Sequence, residues 1–307
     1  MAQRLVRIIV NPISGRGQNT QFLGELVRHL TLRGFTAELI NTVRPLHGRD
    51  LARETPEDAH CVVSIGGDGT HREVLSGLIG RPVPACIIPS GTENVLARTF
   101  RLTGMLHEVC NTIQHRRFVE LDVGMAADHP FIMFSGVGFD AQVTKDVHAK
   151  RRGRIHRTAY YGPIARLWWR YGFPPISVKV DGRLLTDDAG MVYVANTPLY
   201  GDRMRIAARA VADDGLLDVV CFRARSRWQM LRHFARVKMG RHIGHPLVAY
   251  AQAKTIEVTC AERPLPIQID GDAVAETPLT YTVCPKALRL LVPQEHLQRP
   301  ANRSHLP

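Results

Sequence analysis

No apolar run in this chain approaches the ~20 residues that a membrane-spanning helix needs. Its hydrophobic residues, 45% of 307, are those of a soluble protein with a substantial core. No signal-peptide profile is visible, since Met1-Ala2-Gln3-Arg4 leads straight into a strand-like run, and a cytoplasmic location is expected. Cysteine is scarce and unpatterned. The six (Cys61, Cys86, Cys110, Cys221, Cys260, Cys284) show no Cys-x-x-Cys spacing and lie mostly in apolar runs, so reduced, buried thiols are expected. Internal repeats and low-complexity linkers are absent, and no recognised nucleic-acid module is visible, so nucleic acid is not an expected partner. Acidic residues are in deficit: 28 against 40 Lys and Arg, a formal net charge of +12.

What is present is a set of small-residue loops, each following an apolar run. Cys61-Val62-Val63-Ser64-Ile65 gives way to Gly66-Gly67-Asp68-Gly69-Thr70 and then to a helical pattern with Val74, Leu75, Leu78 and Ile79. A glycine-rich turn entering a helix offers bare backbone N–H groups and the positive end of the helix dipole, which suits phosphate. Asp68 would repel that phosphate unless a cation lies between them, which implies Mg²⁺; alternatively it is the N-cap of a tight strand-to-helix turn. Leu5–Val10 runs into Asn11-Pro12-Ile13-Ser14-Gly15-Arg16-Gly17, and Ala85–Ile88 runs into Pro89-Ser90-Gly91-Thr92-Glu93-Asn94. In a parallel sheet all three loops lie on the carboxyl edge, where ligands bind.

The pattern changes near residue 120. Before it, strands near 4–10, 35–41, 60–65 and 85–88 alternate with helices near 18–33, 47–55, 70–80 and 93–101, which predicts a parallel sheet covered by helices. After Arg116-Arg117, segments such as Ile176–Val180, Val192–Val194, Ile256–Val258, Ile267–Ile269 and Leu288–Val292 alternate with period two, punctuated by Asp181-Gly182 and Asp214-Gly215. This predicts a mainly antiparallel β-sandwich with a few inserted helices. The expected domains are 1–120, 121–293, and a polar tail 294–307.

Taken in order, Asn-Pro-x-Ser-Gly-x-Gly, Gly-Gly-Asp-Gly-Thr and Pro-Ser-Gly-Thr-Glu-Asn resemble the diacylglycerol kinase catalytic-domain family, which includes bacterial lipid kinases and sphingosine and ceramide kinases. The resemblance continues through Ala212-Asp213-Asp214-Gly215-Leu216-Leu217-Asp218 and Gln268-Ile269-Asp270-Gly271-Asp272, and so spans nearly the whole chain. It implies an NAD-kinase-like α/β domain followed by the β-sandwich, with the active site between the two. It also implies an ATP-dependent kinase acting on a hydroxyl of diacylglycerol or a related lipid (a sphingoid base, ceramide or a phosphatidylglycerol-like acceptor). Asn11, Thr42, Gly66, Gly67, Asp68, Gly69, Thr70, Gly91, Thr92 and Asn94 would contact the nucleotide, and Asp68 would hold catalytic Mg²⁺. Asp272 would accept the hydroxyl proton, with Asp270 as its rival; a plain hairpin turn is the other reading of Asp270-Gly271. In bacterial relatives a structural Mg²⁺ sits near the Asp-Gly pair, which maps to Asp214 with the carbonyls of Val211 and Leu216; a β-turn is the alternative. Two departures stand out: Arg72 replaces a usual Asn, and Asp272 replaces a usual Glu. A soluble NAD-kinase-type enzyme and a non-catalytic nucleotide- or lipid-binding regulator are the competing functional classes.

The basic excess is clustered. Lys145 to Arg157 holds Lys145, Lys150, Arg151, Arg152, Arg154 and Arg157. Arg223 to Arg241 mixes seven cations with Trp228, Leu231, Phe234 and Val237, and Trp168-Trp169-Arg170-Tyr171 lies between. Such a surface suits peripheral contact with an anionic membrane, where the lipid substrate resides. A homodimer is left open.

Overall fold

A computed structural model describes residues 4–14, 19–149, 161–201 and 204–294. The chain forms two compact units, Met1–Leu121 with Lys286–Pro307, and Asp122–Pro285.

In the first unit the apolar runs become parallel strands. β1 (Leu5–Val10), β2 (Thr36–Asn41), β3 (Cys61–Gly66) and β4 (Ala85–Pro89) lie in the order β2-β1-β3-β4. β1 pairs with β2 from Leu5↔Thr36 to Val10↔Asn41, and β3 with β4 from Val62↔Ala85 to Gly66↔Pro89. All six residues of β3 are buried, as expected of a strand covered on both faces. The helices are α1 (Thr20–Leu32), α2 (His47–Arg53), α3 (Asp68–Ser76), α4 (Val95–Thr99) and α5 (Leu106–His115). Asn19 caps α1 through its side chain, which accepts from the Phe22 N–H, and Leu26 and Leu30 of that helix enter a core shared with Cys110 and Ile113 of α5. α5 carries buried Val109, Cys110 and Ile113 at helical spacing and is an element that the strand-and-helix rhythm of the sequence did not reveal.

The chain passes between units within two strands, β5 (Phe118–Ala126) and β16 (Leu279–Leu291). The second unit also contains β6 (His129–Phe131), β7 (Phe134–Gly138), α6 (Phe139–Ala149), α7 (Tyr161–Arg170), β8 (Ile176–Val180), β9 (Arg183–Ala189) and β10 (Met191–Ala195). Beyond these come β11 (Leu217–Phe222), α8 (Arg227–Lys238), β12 (Val248–Ala253), β13 (Thr255–Cys260), β14 (Pro266–Ile269) and β15 (Asp272–Glu276). It is an antiparallel sandwich. One sheet runs β12-β11-β10-β7-β14-β15; the facing layer runs β9-β8-β13 and then the start of β16, with Val258 opposite Leu279. Ile256, Val258 and Tyr281 from one layer meet Val192, Val219 and Ile267 from the other in a single apolar core.

Two differences from the sequence reading have physical causes. β10 and β11 are buried at every position rather than alternately, because α8 lays Met230, His233 and Val237 over their second face, with the His233 ring 5.1 Å from that of Phe222. The Leu288–Val292 run, assigned on its period to the sandwich, belongs to the first unit. There Leu290 pairs in parallel with Ala85, the Gly80 N–H donates to the Ala287 carbonyl (2.7 Å), and Arg289 bridges to Glu120 (3.2 Å).

Candidate active site

The three loops at the carboxyl ends of β1, β3 and β4 are tied together by hydrogen bonds. The Asn11 amide donates to the Thr70 hydroxyl (3.0 Å), and the Asn11 N–H donates to the Ile65 carbonyl (3.1 Å). Ser14 approaches Ser90 (3.4 Å), and the Ser90 N–H donates to the Gly66 carbonyl (2.7 Å). Asn94, at φ +49°, closes the third loop on itself: its side chain donates to the Gly91 carbonyl and accepts from the Gly91 N–H, both at 2.9 Å. Glycine is needed where the loops touch. A Cβ on Gly91 would lie 2.6 Å from the Cα of Gly67 and 2.9 Å from the Asn94 side-chain oxygen. Gly69 and Thr92 are exposed, so backbone on both loops faces solvent. Thr42 follows β2 directly, its N–H bonded to the Val10 carbonyl (2.8 Å), and is half-buried. Gly15, Arg16 and Gly17 of the first loop lie outside the described residues.

Asp68 is the first residue of α3, but its carboxylate serves another helix. Oδ1 accepts the Leu96 N–H (3.2 Å) at the start of α4, so Asp68 joins the second loop to the third. Burial raises its pKa above the ordinary carboxylate value, opposed by the Val95 and Leu96 N–H groups; Glu93 raises it further and Arg98 lowers it. A carboxylate has about four lone-pair sites, so this oxygen pair keeps acceptor capacity. Among the described residues no three His, Cys, Asp or Glu side chains converge to hold a metal. Mg²⁺ is ordinarily held by one or two carboxylates with waters and substrate phosphates rather than by an all-protein cage, and a lone Asp68 fits that habit.

His71, which the sequence reading passed over, is fully buried behind the second loop. Its Nδ1 lies 2.9 Å from the Ser64 hydroxyl, and burial depresses its pKa to about 4, so the ring is neutral. Its signal in sequence is only a histidine one position after Thr70.

In the second unit, Asp270 and Gly271 form the two-residue turn between β14 and β15, at φ +44° and +90°, with Ile269 paired to Asp272. The Asp270 carboxylate is held by backbone. Oδ2 accepts the Ile132 N–H (2.8 Å), and Oδ1 accepts the N–H groups of Met133 (3.1 Å) and Phe134 (2.9 Å). Asp272, two residues on, opens β15 and is half-buried.

The loop before β11 is likewise a set of satisfied turns. The Leu216 N–H donates to Asp214 Oδ1 (3.1 Å), the Gln252 amide approaches Oδ2 (3.3 Å), and the Gly215 N–H donates to Asp122 (2.6 Å). Burial raises the pKa of Asp214, its hydrogen bond from Leu216 lowers it, and Asp122 and Asp213 add to the rise. Val211 and Leu216 flank this turn, which stands on its own hydrogen bonds.

A further acid of the second unit was invisible in the sequence reading. Asp140, at the start of α6, accepts a hydrogen bond from the Tyr200 hydroxyl, and burial pushes its pKa up to about 6 against Tyr200 and Gln268. Its clue in sequence is the small-residue strand Ser135-Gly136-Val137-Gly138 running into Phe139-Asp140, the same strand-to-helix grammar as the first three loops. Of the basic cluster, Lys145 pairs with Glu276 (2.8 Å), while Lys150, Arg151, Arg152, Arg154 and Arg157 lie outside the described residues.

Known families match both parts of the chain. Residues 5–126 match the diacylglycerol kinase catalytic domain, and residues 134–292 match the YegS C-terminal NAD kinase beta sandwich-like domain. The chain is 28% identical over 297 residues to a diacylglycerol kinase of Mycobacterium tuberculosis, covering 94% of this chain and 95% of that one. It is 23% identical over 298 residues to a diacylglycerol kinase of Bacillus subtilis, covering 95% and 98%. A crystal structure from Bacillus anthracis shares the fold with a TM-score of 0.79 at 21% identity, over 96% of this chain and 97% of that one. The chain belongs to the diacylglycerol kinase catalytic-domain family, the lipid kinases with an NAD-kinase-like α/β domain and a β-sandwich. No helix among the described residues is long and apolar enough to cross a membrane.

Proposed function

We propose that this lipid kinase transfers the γ-phosphoryl group of ATP to a hydroxyl of diacylglycerol or a closely related lipid. The observation that carries the reading is the linkage of three glycine-bearing loops at one edge of a parallel sheet, through Asn11–Thr70, Ser90–Gly66 and Asp68–Leu96. The backbone of Gly66 to Thr70 and of Gly91-Thr92 cradles the phosphates, with Asn11, Thr42 and Asn94 beside them. Asp68 is the residue that would hold Mg²⁺, which when bound neutralises charge on the transferring phosphate. Asp272 takes the proton from the attacking lipid hydroxyl. Asp270 is unsuited to that role, since three backbone N–H groups hold its oxygens. Diacylglycerol is favoured as acceptor by the names of the relatives. The structural Mg²⁺ at Asp214, Val211 and Leu216 is kept as a weaker part of the same reading.

The test is phosphorylation with labelled ATP of a panel containing diacylglycerol, sphingosine, ceramide, phosphatidylglycerol and NAD. Label in phosphatidic acid, dependent on Mg²⁺, is the expected result. Label in NAD alone would move the chain to the soluble-kinase class, and no label in any acceptor despite ATP binding would make it a regulator.

A further inference from the structure

Helices α7 and α8 stand side by side: the Trp168 and Trp228 rings meet edge to face at 6.2 Å, and the Arg227 guanidinium lies 4.2 Å over the Trp169 ring. α8 already buries one face through Met230, His233 and Val237, yet it carries a second apolar stripe at helical spacing, Trp228 and Leu231, pointing outward. α7 exposes Tyr161 and Ile164 about one turn apart, and Trp169 on a neighbouring face. Trp169 is 70% exposed, Tyr161 67% and Trp228 58%. Folding does not need these side chains in water, and a contiguous exposed apolar patch marks an interaction surface.

The charge around the patch identifies the partner. Neither helix contains an Asp or Glu, whereas they carry Arg166, Arg170, Arg227, Arg232, Arg236 and Lys238. None of the ion pairs among the described residues involves these six. Indole and phenol rings with one apolar side and one polar atom settle at the level of lipid head groups. Unpaired arginines beside them are drawn to anionic lipid, and their stems add apolar contact.

We infer that the α7–α8 face is a docking platform for an anionic bilayer, with Trp169, Trp228 and Leu231 entering the head-group layer and the arginines engaging lipid phosphates. The purpose of such docking rests on the lipid-kinase reading above; the surface itself does not.

The experiment is vesicle co-sedimentation of the full chain without nucleotide, on phosphatidylglycerol–phosphatidylcholine against phosphatidylcholine alone. Salt is raised from about 0.05 to 0.5 M, over which screening shortens from about 14 to 4 Å. Binding should favour the anionic vesicles by at least about tenfold and weaken with salt. The pair Trp169→Ala, Leu231→Ala should lower it about tenfold, and Arg232→Gln with Arg236→Gln about 10–30-fold. Trp169, Leu231 and Arg232 are exposed and Arg236 is partly so, and circular dichroism and Tm should match the parent. Phosphorylation of detergent-dispersed diacylglycerol, read separately, should be unchanged in both pairs. Equal binding to both vesicle types, or parental binding by both variant pairs, overturns the proposal. So does a parent that is dimeric without lipid and becomes monomeric in the tryptophan–leucine variant, which would make this face a contact between copies. Selective vesicle binding without kinase activity on any dispersed lipid would support docking while removing the kinase reading.

Discussion

Asp270 and Phe134 hold each other from both sides: the Phe134 N–H donates to the Asp270 carboxylate at 2.9 Å, and the Asp270 N–H donates to the Phe134 carbonyl at 2.9 Å. The carboxylate at the β14–β15 turn therefore anchors backbone 136 to 138 positions away in sequence and is set apart from its neighbour Asp272.

Separating the two acids by mutation follows directly. Asp270→Ala leaves three N–H groups without their acceptor and should lower stability by about 2–5 kcal/mol in urea unfolding. Asp272→Ala should cost less stability than Asp270→Ala and reduce turnover by roughly 10²–10⁴-fold. Asp272→Glu restores the residue usual in the family and should keep most activity. A stable Asp270→Ala protein without activity, beside an active Asp272→Ala, would reverse the roles.

Asp68→Asn keeps an oxygen for the Leu96 N–H while removing the charge proposed for Mg²⁺. Thermal unfolding should shift little, and kcat should fall by about 10²-fold or more. Near-parental kcat across a Mg²⁺ titration would refute the metal role.

Gly91→Ala tests the contact between loops. The added Cβ would meet Gly67 at 2.6 Å, so the second and third loops must separate. Nucleotide affinity should drop by about 1–3 kcal/mol, measured by calorimetry, with a smaller effect on lipid affinity. Unchanged ATP binding would show that the loops need not stay in register.

Asp140 supplies a pH signature. Its folded pKa, about 6, lies above the ordinary unfolded value, so its contribution to stability is complete below about pH 4 and is lost as pH rises through 6. His71, depressed to about 4, works oppositely: its contribution is complete above about pH 6.5 and is lost as pH falls through 4. Subtracting the urea-unfolding profile of Asp140→Asn from that of the parent cancels the histidine. The parent should lose about 1–3 kcal/mol relative to the variant between pH 4 and 7. Parallel profiles would mean that folding leaves the Asp140 pKa at its ordinary value.

How legible all this was depended on sequence distance. The glycine loops could be read because each is a local event, an apolar run meeting small residues and then a helix, and β1, β3 and β4 end where those runs end. The sandwich could be read from Ile256–Val258, whose one buried face imposes alternation. β10 and β11 departed from that rule because α8 covers them, which no period within the strands could announce. Asp68 as the acceptor for α4, Asp270 as an anchor for residues 132–134 and Asp140 beneath Tyr200 are unions of distant segments. Sequence named two of those acids without indicating which atoms they would hold.

The return of β16 to the first unit has a consequence for biosynthesis. Leu288, Leu290 and Leu291 are fully buried there, yet the ribosome delivers them only after the whole sandwich has been made. Until then the nascent α/β sheet lacks the strand that pairs with Ala85 and shows β4 as an open edge, the kind of surface on which chains stick to one another. Each missing leucine also withholds about 1.5–3 kcal/mol of burial. Synthesis thus completes the α/β unit last, and a chain halted before Lys286 emerges as a finished sandwich joined to an unclosed sheet.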